Sequence, residues 1–204
     1  KSLSEIETTS KRASKATGYS WGISEEVGKN IRILEMFGLP GIKNLNEYYN
    51  IKKTKKFENL KLINKENKIT NGQLCPIILG ISFLDQIKSL EVLEEVKLEK
   101  LAYPILFLPF ACRASEIIGK RLLLKLDNHQ FLLNFNISIF SNLLNGKEQV
   151  IELANLASVR FLDNSDSFSE KEWRQLYNLS EETFVEETES LKKGAAGAGL
   201  TDND

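Results

Sequence analysis

The feature that most constrains this chain is a change of hydrophobic period near Leu60. Before it, apolar residues recur at helical spacing. After it, alternation and turn signals become prominent, and a clear capping box opens a further helix at Ser169. Helices at both ends with strands between them predict an α+β fold: N-terminal helices, a central mixed or antiparallel sheet, a C-terminal helix and a docked Gly-rich tail. A length of 204 residues suits a single domain. Within it we expect a helical part (1–56), a β-rich core (57–168), a C-terminal helix (169–193) and a Gly-Ala-rich tail (194–204).

The helical third carries its own punctuation. Ser2-Leu3-Ser4-Glu5 is a capping box and Gly18 a natural stop, with Ile6, Ala13 and Ala16 as a thin apolar face. Ser24 is positioned to cap the next helix, which would put Glu25 and Glu26 in its first turn, where the helix dipole favours carboxylates. Val27, Ile31 and Leu34 form its buried stripe, and Gly38 with Pro40 ends it. Asn44 to Glu47 reads as the start of a short helix through Tyr48 and Ile51.

Further on, Leu60-Lys61-Leu62 alternates and Asn71-Gly72 signals a tight turn. The apolar run 77–84 fits a buried strand or a helix, and periodicity does not separate the two. Residues 105–108 read as a strand and 110–118 as a helix closed by Gly119. Residues 121–126 and 130–136 flank Asp127-Asn128-His129 as a hairpin, and 158–162 is a further strand. Ser169-Glu170-Lys171-Glu172 opens the last helix.

Composition excludes several classes. A net charge of −1 gives no bulk electrostatic case for nucleic acid. The cluster of Lys52, Lys53, Lys55 and Lys56, with Lys43 nearby, reads as a solvated loop. Cys75 and Cys112 lie in apolar runs and are expected as buried free thiols. With His129 the single histidine, at the expected hairpin tip, a Cys/His zinc site and a Ser-His-Asp triad are disfavoured, and no metal site is expected. The first twenty residues are polar and charged, and the apolar stretch 103–112 is far shorter than a bilayer span, so a cytoplasmic protein without membrane association is expected.

Three segments carry a resemblance. They are Lys15-Ala16-Thr17-Gly18-Tyr19-Ser20-Trp21-Gly22-Ile23-Ser24-Glu25-Glu26-Val27-Gly28-Lys29, the central Leu108-Pro109-Phe110-Ala111-Cys112-Arg113-Ala114, and the terminal Gly-Ala-Gly-Leu-Thr-Asp-Asn-Asp. Together they resemble the bacterial domain of unknown function 3726 family. The tail departs from the family's pattern by one residue in its glycine spacing, and Ser24 stands where the family favours alanine. The resemblance implies no reaction, cofactor or substrate, and the cofactor stays unknown.

Site candidates therefore come from the residues themselves. Small residues at 194–199 let backbone approach a ligand or another backbone, and Asp202, Asn203 and Asp204 concentrate acceptors at one point. Asp202, Asp204 and Glu25 are candidate general bases, with Asn203 as a ligand contact. Trp21 offers a flat stacking surface. Glu25, Lys29 and Arg32 share a helical face, so Glu25 and Lys29 can pair. Glu26 lies beside them. Arg113, early in a helix where a cation is electrostatically disfavoured, calls for a specific carboxylate partner, for which Asp202 or Asp204 would serve. Lys192 and Lys193 precede the glycines and read as a solvated pair. These residues suggest a small-molecule enzyme or binding protein whose tail closes a pocket containing Trp21, Glu25, Glu26 and Arg113. The alternative is an accessory subunit that inserts its tail into a partner enzyme or its own twin.

Overall fold

A computed structural model describes residues 1–134, 138–142, 150–163 and 166–183. The chain divides into two compact units, Lys1–Asn164 and Ser165–Asp204. The elements are those of an α+β protein.

Three helices open the first unit. α1 (Leu3–Ala16) starts as expected, with the Ser2 hydroxyl accepting the Glu5 N–H, and Gly18 turns the chain at φ +97°. Its buried residues are Ser10 and Ser14, whereas Ala13 and Ala16 are exposed. The missing side chain at Gly28 lets α2 (Trp21–Met36) lie close to α1: a Cβ there would stand 2.7 Å from the Glu7 carbonyl oxygen.

The start of α2 corrects the sequence reading. Ser20 is the cap, accepting the Ile23 N–H, while Ser24 is buried and returns its hydroxyl to the Ser20 carbonyl at 2.8 Å. Ser20 has no Glu or Gln three residues on, so it shows no capping-box signature. Glu25 and Glu26 consequently stand in the second turn. Val27, Ile31 and Leu34 form the buried stripe as read. α3 (Gly41–Lys52) also begins earlier than Asn44. Its cap comes from the preceding helix, where Glu35 Oε1 accepts the Ile42 N–H at 2.8 Å. Asn44 is buried within α3 and donates to the Pro40 carbonyl at 2.7 Å.

The remaining elements of this unit are β1 (Glu66–Asn67), α4 (Pro76–Leu90), β2 (Glu95–Ala102), α5 (Leu108–Ile118), β3 (Arg121–Leu126), β4 (His129–Asn134), β5 (Ser138–Ser141) and β6 (Leu153–Leu162). The sheet order is β1-β2-β6-β3-β4-β5. The β1–β2 pair is parallel and the other neighbours are antiparallel, which makes the sheet mixed.

The ambiguous run 77–84 is helical, with Pro76 at the first position of α4 and Cys75 as its cap. The strand expected at 105–108 is instead a short 3₁₀ turn, Pro104–Leu106, followed by the start of α5. Every residue from 101 to 112 is buried, so hydrophobic alternation had no contrast to work with. The alternation at residues 60–62 forms no strand. β2, by contrast, carries no clear strand signal in sequence, because Glu95, Lys97, Glu99 and Lys100 dilute its apolar positions. The hairpin forms with Asp127 and Asn128 as its two-residue turn, and His129 is the first residue of β4, paired with Leu126. The strand read at 158–162 is the second half of a ten-residue β6.

One sheet face is buried. Val96, Val159, Leu124 and Phe131 form a cross-strand row through β2, β6, β3 and β4. α4 and α5 pack on that face, where Phe83 meets Phe107 edge-on at 5.4 Å and stacks with Phe161 at 6.4 Å. The second unit contributes α6 (Glu170–Glu181), opened by the expected capping box between Ser169 and Glu172. Phe168 stacks on Trp173 at 5.6 Å. No described helix is long and apolar enough to cross a membrane.

Candidate functional site

α2, α4 and α5 converge on a cleft of about 600 Å³. Its α2 wall includes Glu25 and Glu26, its α4 wall Ile81, Leu84 and Asp85, and its α5 wall Arg113 and Ile117. Three residues singled out from sequence, Glu25, Glu26 and Arg113, thus line one cavity. Trp21 is not in its lining, although Ser20 and Gly22 on either side are. Trp21 is 55% exposed, with the Lys11 and Lys15 ammonium groups 5.7 and 5.4 Å from its ring centroid.

The centre of the cleft is an ion pair. Arg113 Nη1 donates to Glu26 Oε2, and both side chains are about three-quarters buried, at 24% and 23% exposure. The other Glu26 oxygen accepts from Lys29 Nζ at 3.0 Å. Burial pushes the Glu26 carboxyl up. The bonds from Arg113 and Lys29 outweigh that effect and hold it below its ordinary value of 4.5. Arg113, the sixth residue of α5 and so past its first turn rather than early in the helix, takes Glu26 as a carboxylate partner. Asp202, Asn203 and Asp204, with the rest of the tail, lie outside the described residues.

Glu25 corrects another expectation. It pairs with Lys11 on α1 at 2.5 Å rather than with Lys29. The close α1–α2 crossing at Gly28 brings Lys11 within reach, and Lys29 turns to Glu26. The bond from Lys11 holds the Glu25 carboxyl below its ordinary value. Glu25 is thus an exposed, ion-paired carboxylate, a setting that favours the ionised form over a proton acceptor poised near neutrality.

Two groups in the cleft remain uncommitted. The Arg113 fork carries five N–H donors, and among the described residues its polar contact is the single one to Glu26. Asp85, exposed on α4, makes no ion pair or hydrogen bond among the described residues. Ile81, Leu84 and Ile117, the last 51% exposed, supply apolar lining in the same cleft. Sequence reading missed all four of these partners. Asp85 and Ile117 look like ordinary surface residues of their helices, and only the packing of α4 against α5 and α2 gives them a common neighbour. No cluster of three or more His, Cys, Asp or Glu side chains suited to a metal ion occurs among the described residues.

Residues 1–75 match the family described as Protein of unknown function (DUF3726). No curated protein and no solved structure matches the chain.

Proposed function

We propose, for a chain whose residues 1–75 match the DUF3726 family, the binding of a small zwitterionic molecule in the α2–α4–α5 cleft. The observation that carries this reading is the partly buried Glu26–Arg113 pair in the cleft wall. Glu26 holds the guanidinium through one nitrogen and leaves the other donors for a ligand carboxylate. The Asp85 carboxylate suits a ligand ammonium, and Ile81, Leu84 and Ile117 suit an apolar body between the two charges. The reading is one of binding, supported by Glu25 and Glu26 being held in the charged form by Lys11, Lys29 and Arg113.

A thermal-shift screen of free amino acids, polyamines and dicarboxylates tests the reading. Zwitterions should raise the melting temperature, and the shift should disappear in Arg113→Gln and weaken in Asp85→Asn. A screen led by polyamines, or zwitterion shifts that persist in Arg113→Gln, would reject it. The part that sequence suggests for residues 194–204 is tested separately by a chain ending at Lys193. Equal binding by that chain would remove the tail from the reading.

A further inference from the structure

A second cavity, of about 390 Å³, opens where the α1–α2 junction, α3, the loop after it and the start of α4 meet. Its floor is polar yet buried: Tyr19, Tyr48 and Cys75 are 7%, 0% and 2% exposed. The Tyr48 hydroxyl lies 2.8 Å from the Tyr19 hydroxyl and 3.1 Å from Cys75 Sγ, and Tyr19 also faces the sulfur at 3.8 Å. The three groups hydrogen-bond one another, and the sulfur accepts the Ile78 N–H at 3.4 Å. Burial raises both phenols above their ordinary value, so they stay protonated at neutral pH.

The charge is all at the mouth. Lys52, Lys55 and Lys56 line the opening, and no Asp or Glu does. Among the described residues none of the three makes an ion pair. Lys52 donates to the Thr17 carbonyl at 3.0 Å and sits 4.1 Å from the Tyr19 ring centroid, and Lys55 donates to Gln73 at 2.9 Å. Elsewhere on the same unit, lysines such as Lys11, Lys29 and Lys97 do find carboxylates. Three cations gathered over one cavity without a counter-charge produce a local positive potential, focused by the low-dielectric walls below. Between mouth and floor the wall is aromatic, with Phe57 5.0 Å from Tyr48.

We infer that this cavity is a second ligand site, for a small organic anion whose carboxylate or phosphate meets Lys52, Lys55 and Lys56 while an aromatic or apolar body packs on Tyr48, Phe57 and Ile78. A floor without cationic side chains and a cationic rim set that orientation, because an anion driven to the bottom would lose water without gaining a positive partner. The volume lies in the range of small-molecule sites. The lysine cluster, which in the sequence reads as a solvated loop, thereby acquires a purpose that depends on where α3 and α4 place it.

Isothermal titration of the full chain with benzoate, phenyl phosphate, inorganic phosphate and benzylamine tests the inference. At least one aromatic anion should bind saturably, inorganic phosphate more weakly for want of a body, and benzylamine not at all. The tighter of the two aromatic anions identifies the head group. Both Lys55 and Lys56 are exposed, so the Lys55→Gln/Lys56→Gln variant should fold and melt as the parent does, yet bind the anion about tenfold more weakly or worse. Arg113→Gln, which disables the other cleft, should leave this affinity unchanged, so the two readings fail separately. Absence of saturable binding by either aromatic anion, equal binding of benzylamine, or undiminished affinity in the double-lysine variant would overturn the inference.

Discussion

At Glu26 two forces act in opposite directions on one carboxyl group. Burial penalises its charge, and Arg113 with Lys29 stabilises it by more, so the carboxylate persists below its ordinary value of 4.5. A group depressed in this way stabilises the fold above its unfolded value, and that contribution is lost as pH falls through the folded value. Urea unfolding should therefore show the parent chain more stable than Glu26→Gln near neutrality, with the gap closing as pH drops below 4.5. Arg113→Met should cost about 1–2 kcal/mol, between the limits for exposed and fully buried pairs. A double-mutant cycle would assign that cost to the pair, and a coupling near zero would contradict the geometry. The individual residues were singled out in sequence, although the premise for Arg113 fails: α5 begins at Leu108, which puts Arg113 past its first turn. Their pairing was not legible, because 87 positions separate them and only the α2–α5 contact joins them.

Among the elements, helix starts show what local sequence can and cannot carry. The boxes at Ser2 and Ser169 were readable because cap and partner lie three residues apart. The cap of α3 was hidden because its acceptor is Glu35, seven residues upstream of Ile42 on another helix. Glu35→Ala should destabilise by about 1 kcal/mol, as loss of a helix cap does, measured by urea unfolding. The α1–α2 crossing gives a sharper test. In an open helix Gly→Ala gains about 1 kcal/mol from propensity. At Gly28 the added Cβ would lie 2.7 Å from the Glu7 carbonyl and 3.1 Å from Lys11 Cβ, and backbone cannot yield as a flexible side chain does. Overpacking costs about 1–3 kcal/mol, so Gly28→Ala should be net destabilising and should loosen the Lys11–Glu25 pair. A stabilised Gly28→Ala variant would mean that the helices stand further apart. The strand misread at 105–108 has the opposite origin from the hidden cap: a wholly buried segment shows no period, and Tyr103, at φ +42°, diverts the chain into a turn.

Over the whole molecule, the two cavities draw on one short stretch of chain between Gly18 and Glu26: Gly18 and Tyr19 line one cavity, and Ser20, Gly22, Ile23, Glu25 and Glu26 line the other. The fold class was visible in the change of period, but the placement of these cavities depends on four helices meeting and had no local signature. The buried phenols set an alkaline limit. Tyr19, Tyr48 and Tyr49 are all raised by burial, Tyr49 to about 12, so their contribution is complete below pH 10 and is lost as pH climbs through the folded values. Phenolate absorbance of these three should rise only together with loss of helical circular dichroism. Earlier ionisation in a still-folded chain would show the cluster to be wetter than its packing indicates. The most direct test of the central claim follows backbone amide shifts while the strongest-binding amino acid is titrated into the full chain. Saturable changes should concentrate at residues 20–26, 81–85 and 113–117. Changes confined to other surfaces, or none at ligand concentrations that saturate the thermal shift, would contradict a site built on Glu26 and Arg113.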